Sequence, residues 1–489
     1  MSLTFDEIPY DWQKPGVYTE VKPVYDRMGL TEYPARTLIV AQKLAAGTAV
    51  AGTLYPITRP EEGIAYCGAG SVGADMVKAY KAANRTTEVF LTALADAGAG
   101  VAATGTLTFV GVPTTGGALA LYVEETRIPL ALTAGQTVAA MATAAAAAIN
   151  ALTDLPVTAL AAAGVVTLTA RHKGEVGNGI SLAVARTIGD TIPAGTTVTV
   201  VAMAGGATNP DVQTVLDAIA NEWFTDIVFP WDDATNLGKI AADFAERYKA
   251  MGRKDAHAYI GSKGIYSDLV TKGAITNSPF ISIIGAKGSP SAPWKWAASL
   301  AGVAAFQLAN DPARQLRSLV LTGIVAPDSK DCFIDSEQNL LLKKGISTFN
   351  RVSGGTVTID RVVTTYKVSN LNVADTAWMD IMVPKTASRI RYDWSAYFTL
   401  TYPRAKLAKD NSLAAEHADA VVTPKRALGS WAARCTLYER RGWIEQSSET
   451  VSRSVFECDD SNKNRLNSRL RIIIIGNMMV LAGSLEFEV

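Results

Sequence analysis

Histidine and cysteine are both scarce, three and four residues in a chain of 489. His172, His257 and His417 stand at no metal-ligand spacing from one another, from cysteine or from carboxylates, and each reads as a polar surface or hydrogen-bonded histidine. Cys67, Cys332, Cys435 and Cys458 form no CxxC pair, which disfavours a zinc ribbon or disulfide framework and predicts reduced structural thiols. Charge excess is missing too. Forty-six basic residues balance forty-six acidic ones, so no general field recruits nucleic acid, and near-zero net charge permits dense self-packing. The longest apolar run, Val138 to Ile149, is too short and alanine-rich to span a bilayer. The first residues lack the basic-then-apolar pattern of a secretory signal, so a protein made and kept in a cytoplasm is expected. Catalytic punctuation is equally thin: there is no GxSxG elbow and no HExxH. The glycines of "HKGEVGNGI" join two expected strands instead of opening a helix, which fits a turn better than a phosphate loop. No cofactor and no metal site are expected.

What is present is apolar patterning, 48% of the residues, in a length that corresponds to about three domains. The stretch "KPGVYTEV" alternates cleanly, with Val17, Thr19 and Val21 on one face and Tyr18 and Glu20 on the other. The far end, "GSLEFEV", does the same, with Leu485, Phe487 and Val489 opposing Glu486 and Glu488. Both read as half-buried strands in need of a partner edge. Between them, a strand at 36–44, a helix at 72–84 and a strand from 88 set up a βαβ rhythm. From about 96 to 205 the composition turns to Ala, Thr, Gly and Val, with strands expected at 104–110, 119–128, 164–170, 179–186 and 196–203. A helix at 134–152 is expected among them, capped by Thr133 with Gln136. This is a small α+β domain inserted into an α/β core of residues 35–95 and 206–335, whose sheet is open and mostly parallel.

Beyond the core, an α+β domain is expected over 336–480, opening on a GG-linked hairpin at 345–368 and followed by helices at 376–400 and 424–442. Strands at 443–458 and 469–489 close it, with Ile472 to Ile475 as a core strand buried on both faces. Residues 1–34 and 481–489 are left as terminal arms.

Two clusters could carry chemistry. Asp232 and Asp233 follow an expected parallel strand, where α/β sheets place ligands, and paired carboxylates could bind a metal or exchange protons. Acids before a helix also satisfy its free N–H groups and favour its dipole, which accounts for them without chemistry. Arg434, Arg440 and Arg441 near the end of a helix make either a solvated face or a charged stripe for a partner protein.

The chain resembles the contractile tail sheath proteins of the Mu-like phage branch. "GGTVTIDRVVTTYK" at 354–367 carries the likeness most specifically, with "NDPARQLRSLVLTGIVAP" at 310–327, "TDIVFPWDDATNL" at 225–237 and the PGVY of the first strand beside it. The resemblance implies a structural virion protein and not an enzyme. It implies a subtilisin-like sheath core, polymerisation into stacked hexameric rings around a tail tube, and contraction that drives the tube through the host envelope. Expected partners are further copies, the tail tube, the baseplate and the terminator or neck proteins, with no nucleic acid and no membrane insertion. Assembly is expected in the host cytoplasm. The family's arms pair with sheets of neighbouring subunits, so Val17, Tyr18, Thr19, Glu20 and Val21, and Leu485, Glu486, Phe487, Glu488 and Val489, become exchanged arm strands. A charged helix of the C-terminal domain touches the tube, and Arg434, Arg440 and Arg441 are its candidates here. An enzyme built on Asp232 and Asp233, or a static lattice protein, are the competing readings.

Overall fold

The computed structural model describes residues 8, 9, 11–20 and 29–488. Val21 and Val489, each counted in an arm strand, lie outside the described residues.

The βαβ rhythm builds one large sheet. Strand β1 (Arg36–Gln42) is buried from Thr37 onward, and β2 (Tyr55–Pro56) is a two-residue edge piece. Helices α1 (Glu61–Cys67) and α2 (Val72–Ala83) lead to β3 (Glu88–Leu94). Ser71 caps α2 by accepting the Ala74 N–H at 3.1 Å. Here the insertion begins: β4 (Ala102–Gly111), β5 (Gly117–Val123), β6 (Thr126–Leu132), α3 (Val138–Asn150), β7 (Val157–Ala162), β8 (Val165–Lys173), β9 (Leu182–Val184) and β10 (Thr196–Ala204). These strands form two antiparallel sheets, β10-β4-β8-β7 and β6-β5-β9.

Three expectations for the insertion need correction. The single strand at 119–128 is a hairpin, because Glu124 turns the chain with a φ of 53°. Helix α3 starts four residues later than expected: Thr137, not Thr133, is its cap, and the Gln136 side chain accepts the Thr133 N–H in the turn before it. Strand β7 had not been expected, although Val157 and Ala159 alternate with Thr158 and Leu160 as a half-buried strand requires.

The core then resumes with α4 (Gln213–Ala218), β11 (Asp226–Phe229), α5 (Ala234–Tyr248), β12 (His257–Ser262), α6 (Tyr266–Ala274), β13 (Ile281–Gly285), α7 (Pro293–Asn310), α8 (Asp335–Lys343), β14 (Ile346–Arg351) and β15 (Val357–Arg361). The eight-stranded sheet runs β15-β14-β13-β12-β11-β1-β3-β2. Its six inner strands are parallel and each edge carries one antiparallel strand. The inner strands are near-continuous apolar runs because both faces are covered. Helix α7 lies so close to α2 that a Cβ on Gly302 would come within 2.9 Å of the Ala83 methyl. One apolar cluster runs through the core and the insertion together, from Leu38 and Phe229 to Leu121 and Met141. The domain boundary expected at 336 falls inside this sheet: β14 extends it in parallel from β13, so the hairpin belongs to the core.

The C-terminal part contains α9 (Met382–Thr401), β16 (Lys406–Leu407), α10 (Leu413–His417), β17 (Val421–Val422), α11 (Pro424–Arg440), α12 (Ser447–Ser452), β18 (Val455–Cys458) and β19 (Leu466–Arg469). A second apolar cluster of Ile390, Trp431, Cys435, Tyr438, Trp443 and Ile444 holds it together. The strand expected at 443–458 is broken, because Gln446 takes a left-handed φ of 53° and α12 follows. The strand expected at 469–489 forms a ladder only up to Arg469, and one isolated bridge joins Ile444 to Ile474. Ile472 to Ile475 are half-buried, not enclosed on both faces. Among the described residues, only the short stretch Trp443 to Glu445 bonds to this backbone, and no named strand lies against it.

Candidate functional site

The position where an open α/β sheet takes a ligand, outside the carboxyl ends of strands that diverge in order, lies between β1 and β11. Protein fills it here. Gln42, the last residue of β1, donates to the Lys173 carbonyl and to Asp96 Oδ1, both at 2.7 Å, and accepts from Trp231 Nε1 at 3.3 Å. His172 bridges the same spot, with Nδ1 2.8 Å from Asp96 and Nε2 accepting the Val72 N–H at 3.2 Å. The end of insertion strand β8 thus plugs the crevice.

Asp232 and Asp233 lie beside it in structural roles. Asp233 caps α5 by accepting the Asn236 N–H at 3.0 Å, and takes the Asn209 and Asn236 amides at 2.8 Å each. Asp232 pairs with Lys272 at 2.9 Å and accepts from Ser262 Oγ at 2.6 Å. A cavity of about 280 Å³ remains among Glu175, Asn178, Lys263 and Lys272. Burial pushes Lys263 down to about 8, yet its ammonium is engaged by the Gly179 carbonyl. Among the described residues no three His, Cys, Asp or Glu side chains come together as metal ligands. The site has neither a nucleophile with its base nor a row of donors aimed at an empty centre.

Helix α11 presents a different surface from the one expected. Its buried stripe is Ala427, Trp431, Arg434, Cys435 and Tyr438, and Arg434 sits on it at the i+3 position from Trp431. The guanidinium pairs with fully buried Asp393 on α9, with Nε at 3.0 Å, and reaches the Gly29 carbonyl at 3.2 Å. Asp393 also accepts the Tyr438 hydroxyl at 2.6 Å and the Thr31 N–H at 2.8 Å, while Arg389 grips the Thr31 carbonyl at 2.7 Å. Arg434 is therefore no surface contact, and its removal from that role follows from burial. Arg440 and Arg441 stay exposed at the helix end. The spacing 427, 431, 434 and 438 was the signal in the sequence that placed residue 434 inside.

The same unit roots the other end of the chain. The Glu445 N–H donates to the Ile473 carbonyl at 2.8 Å and the Ile475 N–H to Trp443 at 3.2 Å. Asn477 donates to the Ala313 carbonyl, and Gln315 and Arg317 hold the carbonyls of Met478 and Met479 at 3.2 Å each. Past Met479 the segment to Glu488 is fully exposed, with Leu485 95% and Phe487 82% accessible. Lys14 to Glu20 likewise belong to no strand, and Val17 is 96% accessible. Beside these roots, among the described residues β18 and β19 pair only with each other, Val455 opposite Arg469 and Cys458 opposite Leu466. A two-stranded ribbon with both edges open is marginal on its own.

A family model described as the phage tail sheath protein central domain matches residues 205–365. Over 487 residues, covering all of both proteins, the chain is 29% identical to the Mu-like prophage FluMu tail sheath protein of Haemophilus influenzae. Among solved structures it is similar to a chain of the anti-feeding prophage helical sheath in its contracted state, at 12% identity and a TM-score of 0.50, covering 97% of this chain and 98% of that one. A chain of the anti-feeding prophage baseplate gives 11% identity and the same TM-score, covering 98% of this chain and 99% of that one. At such identity these two speak to the fold.

Proposed function

We propose that this chain is a phage tail sheath protein of the Mu-like branch and that it polymerises by lending its terminal segments as β-strands to neighbouring copies. It is a contractile sheath subunit, a structural component of the virion and not an enzyme. The observation that carries the arm reading is the pairing of two incomplete parts. An extended tail leaves the body after Met479 with Leu485 and Phe487 alternating against Glu486 and Glu488, and the adjacent β18–β19 ribbon has open edges. Strand addition would satisfy both, with backbone bonds giving strength and the alternate apolar side chains giving register.

In this reading Val17 to Glu20 form the second exchanged strand, and Gly29 and Thr31 are its anchor. Burying Leu485 and Phe487 contributes about 1.5 to 3 kcal/mol each, offset by the entropy of ordering the segment. One arm is close to balanced, and many arms linking each copy to several others make the lattice firm through effective concentration. The subunits stack as hexameric rings on a tail tube, with the mixed sheet as a subtilisin-like sheath core and the insertion facing outward. Arg440 and Arg441 are the part of α11 left for tube contact. A baseplate and a terminator or neck protein close the two ends, and assembly proceeds in the host cytoplasm.

Deleting Gly483 to Val489 tests this. The truncated chain is expected to be a folded monomer that gives no tubes by negative-stain electron microscopy, whereas the full chain gives hollow tubes. Normal tubes from the truncated chain would end the arm assignment.

A further inference from the structure

A cleft of about 640 Å³ opens between α1 and α2, outside both the plugged crevice and the arm roots. Lys78 and Lys81 line it from one face of α2, at i and i+3, and Arg85 lines it from the turn just past the helix end. Arg59, just before α1, lines it from the other side. None of these four cations makes a side-chain hydrogen bond or an ion pair with a described residue. Lys81 is the telling one, because it is only 6% accessible. Its aliphatic stem is packed while the ammonium keeps an opening to the cleft, and burial still lowers the Lys81 pKa, with Glu62 the opposing influence. The acids on the walls do not cancel the excess. Asp75 is taken up by Lys295 and Trp294, which leaves Glu61 and Asp154, with Glu62 acting on Lys81 and Arg59, three acids against four cations. Exposed Ile64 and the small side chains of Ala74 and Ala82 give the cleft an apolar lining.

We propose that this cleft receives an acidic segment of a second copy of the chain, its carboxylates on Lys78, Lys81 and Arg85 and an apolar side chain against Ile64. A free phosphate would satisfy the cations but leave the apolar wall wet, whereas a peptide segment carrying both kinds of side chain covers both. The source follows from charge. The chain sums to zero, so a cleft holding surplus cations implies surplus acid elsewhere on the same molecule. In a lattice of identical copies a head-to-tail contact brings the two together. The inference rests on the sheath reading and adds a specific salt-sensitive contact to it.

The test uses the full-length chain, with Lys81→Met, which keeps the apolar stem, and Arg85→Glu, which alters an exposed position. Both variants are expected to melt as the wild type does and to need about tenfold more protein to polymerise in low salt, equivalent to about 1.4 kcal/mol. The gap should close in high salt. Fluorescent poly-L-glutamate should bind the wild-type monomer and lose its affinity for Lys81→Met. Unchanged polymerisation thresholds in both variants would overturn the proposal, as would stoichiometric binding of tripolyphosphate by a monomer that ignores poly-L-glutamate. A wild type that never forms tubes would count against the sheath reading instead, so the two failures are distinct.

Discussion

Asp393 and Arg434 form a fully buried ion pair between α9 and α11, and both also hold backbone of residues 29–31. An arginine that looked like a contact for another protein is in fact the clasp on the N-terminal segment. Removing one partner of a buried pair strands the other, at about 3 to 5 kcal/mol. Arg434→Ala should therefore lower the free energy of unfolding by that much, while Arg440→Ala and Arg441→Ala stay within about 0.5 kcal/mol, as surface changes usually do. Equal effects in all three, by urea titration, would contradict this placement.

The tail alternation predicts a two-class pattern. Leu485→Asp and Phe487→Asp each remove an apolar burial worth about 1.5 to 3 kcal/mol and should raise the concentration needed for tubes by about 10- to 100-fold. Glu486→Gln and Glu488→Gln should polymerise almost normally. Sedimentation of the four variants reads the difference, and a pattern without alternation would exclude a strand in this register.

A pH dependence follows from the contact between the insertion and the core. Lys295 Nζ lies 2.5 Å from Glu124, 2.7 Å from Glu125 and 3.5 Å from Asp75, so three carboxylates share one ammonium. Burial, only partly relieved by Lys295 and reinforced by Asp75 and Glu125, pushes Glu124 from its ordinary 4.5 up to about 7. Lys263 and the Arg186 guanidinium, which donates to the Glu124 carbonyl, are the other charges facing it. A carboxyl with a raised folded value binds its proton more tightly when folded. Its contribution is complete below the unfolded value and is lost as pH climbs to the folded one. Between about pH 5 and 8 the wild type should lose on the order of 2 kcal/mol relative to Glu124→Gln. Melting temperatures across that range check the sign.

Asp233→Ala should cost about 1 kcal/mol through the lost cap of α5 and leave tube formation intact. A variant of normal stability, or one that cannot polymerise, would assign the residue another role.

The core was legible because its strands are buried on both faces and its helices alternate with them, so that runs such as Leu38 to Ala41 and Ile281 to Ile284 announce themselves. The hairpin at Gly354 and Gly355 was also visible, but its membership in the core sheet was not, since pairing with β13 depends on a parallel partner about sixty residues earlier. The end of the chain was misread for a physical reason. Ile472 to Ile475 have the composition of a buried strand, but a strand is made by its neighbours, and among the described residues Ile474 bridges only to Ile444. Burial misled in the opposite direction at Arg434, where charge suggested surface and helical spacing pointed inward. The cleft beside α2 needed the fold, because Arg59 and Arg85 come together only when α1 folds back along α2.

Helix α9 touches more than Asp393. Lys385 near its start binds Asp226, the first residue of β11, at 2.6 Å, and Arg391 reaches the Tyr248 carbonyl and Asp255 just ahead of β12. A pull on the chain at Thr31 is thus delivered through one rigid rod to the amino ends of two central strands, with no loop in between to stretch. Such a girder lets a tug from outside turn the whole body as a block.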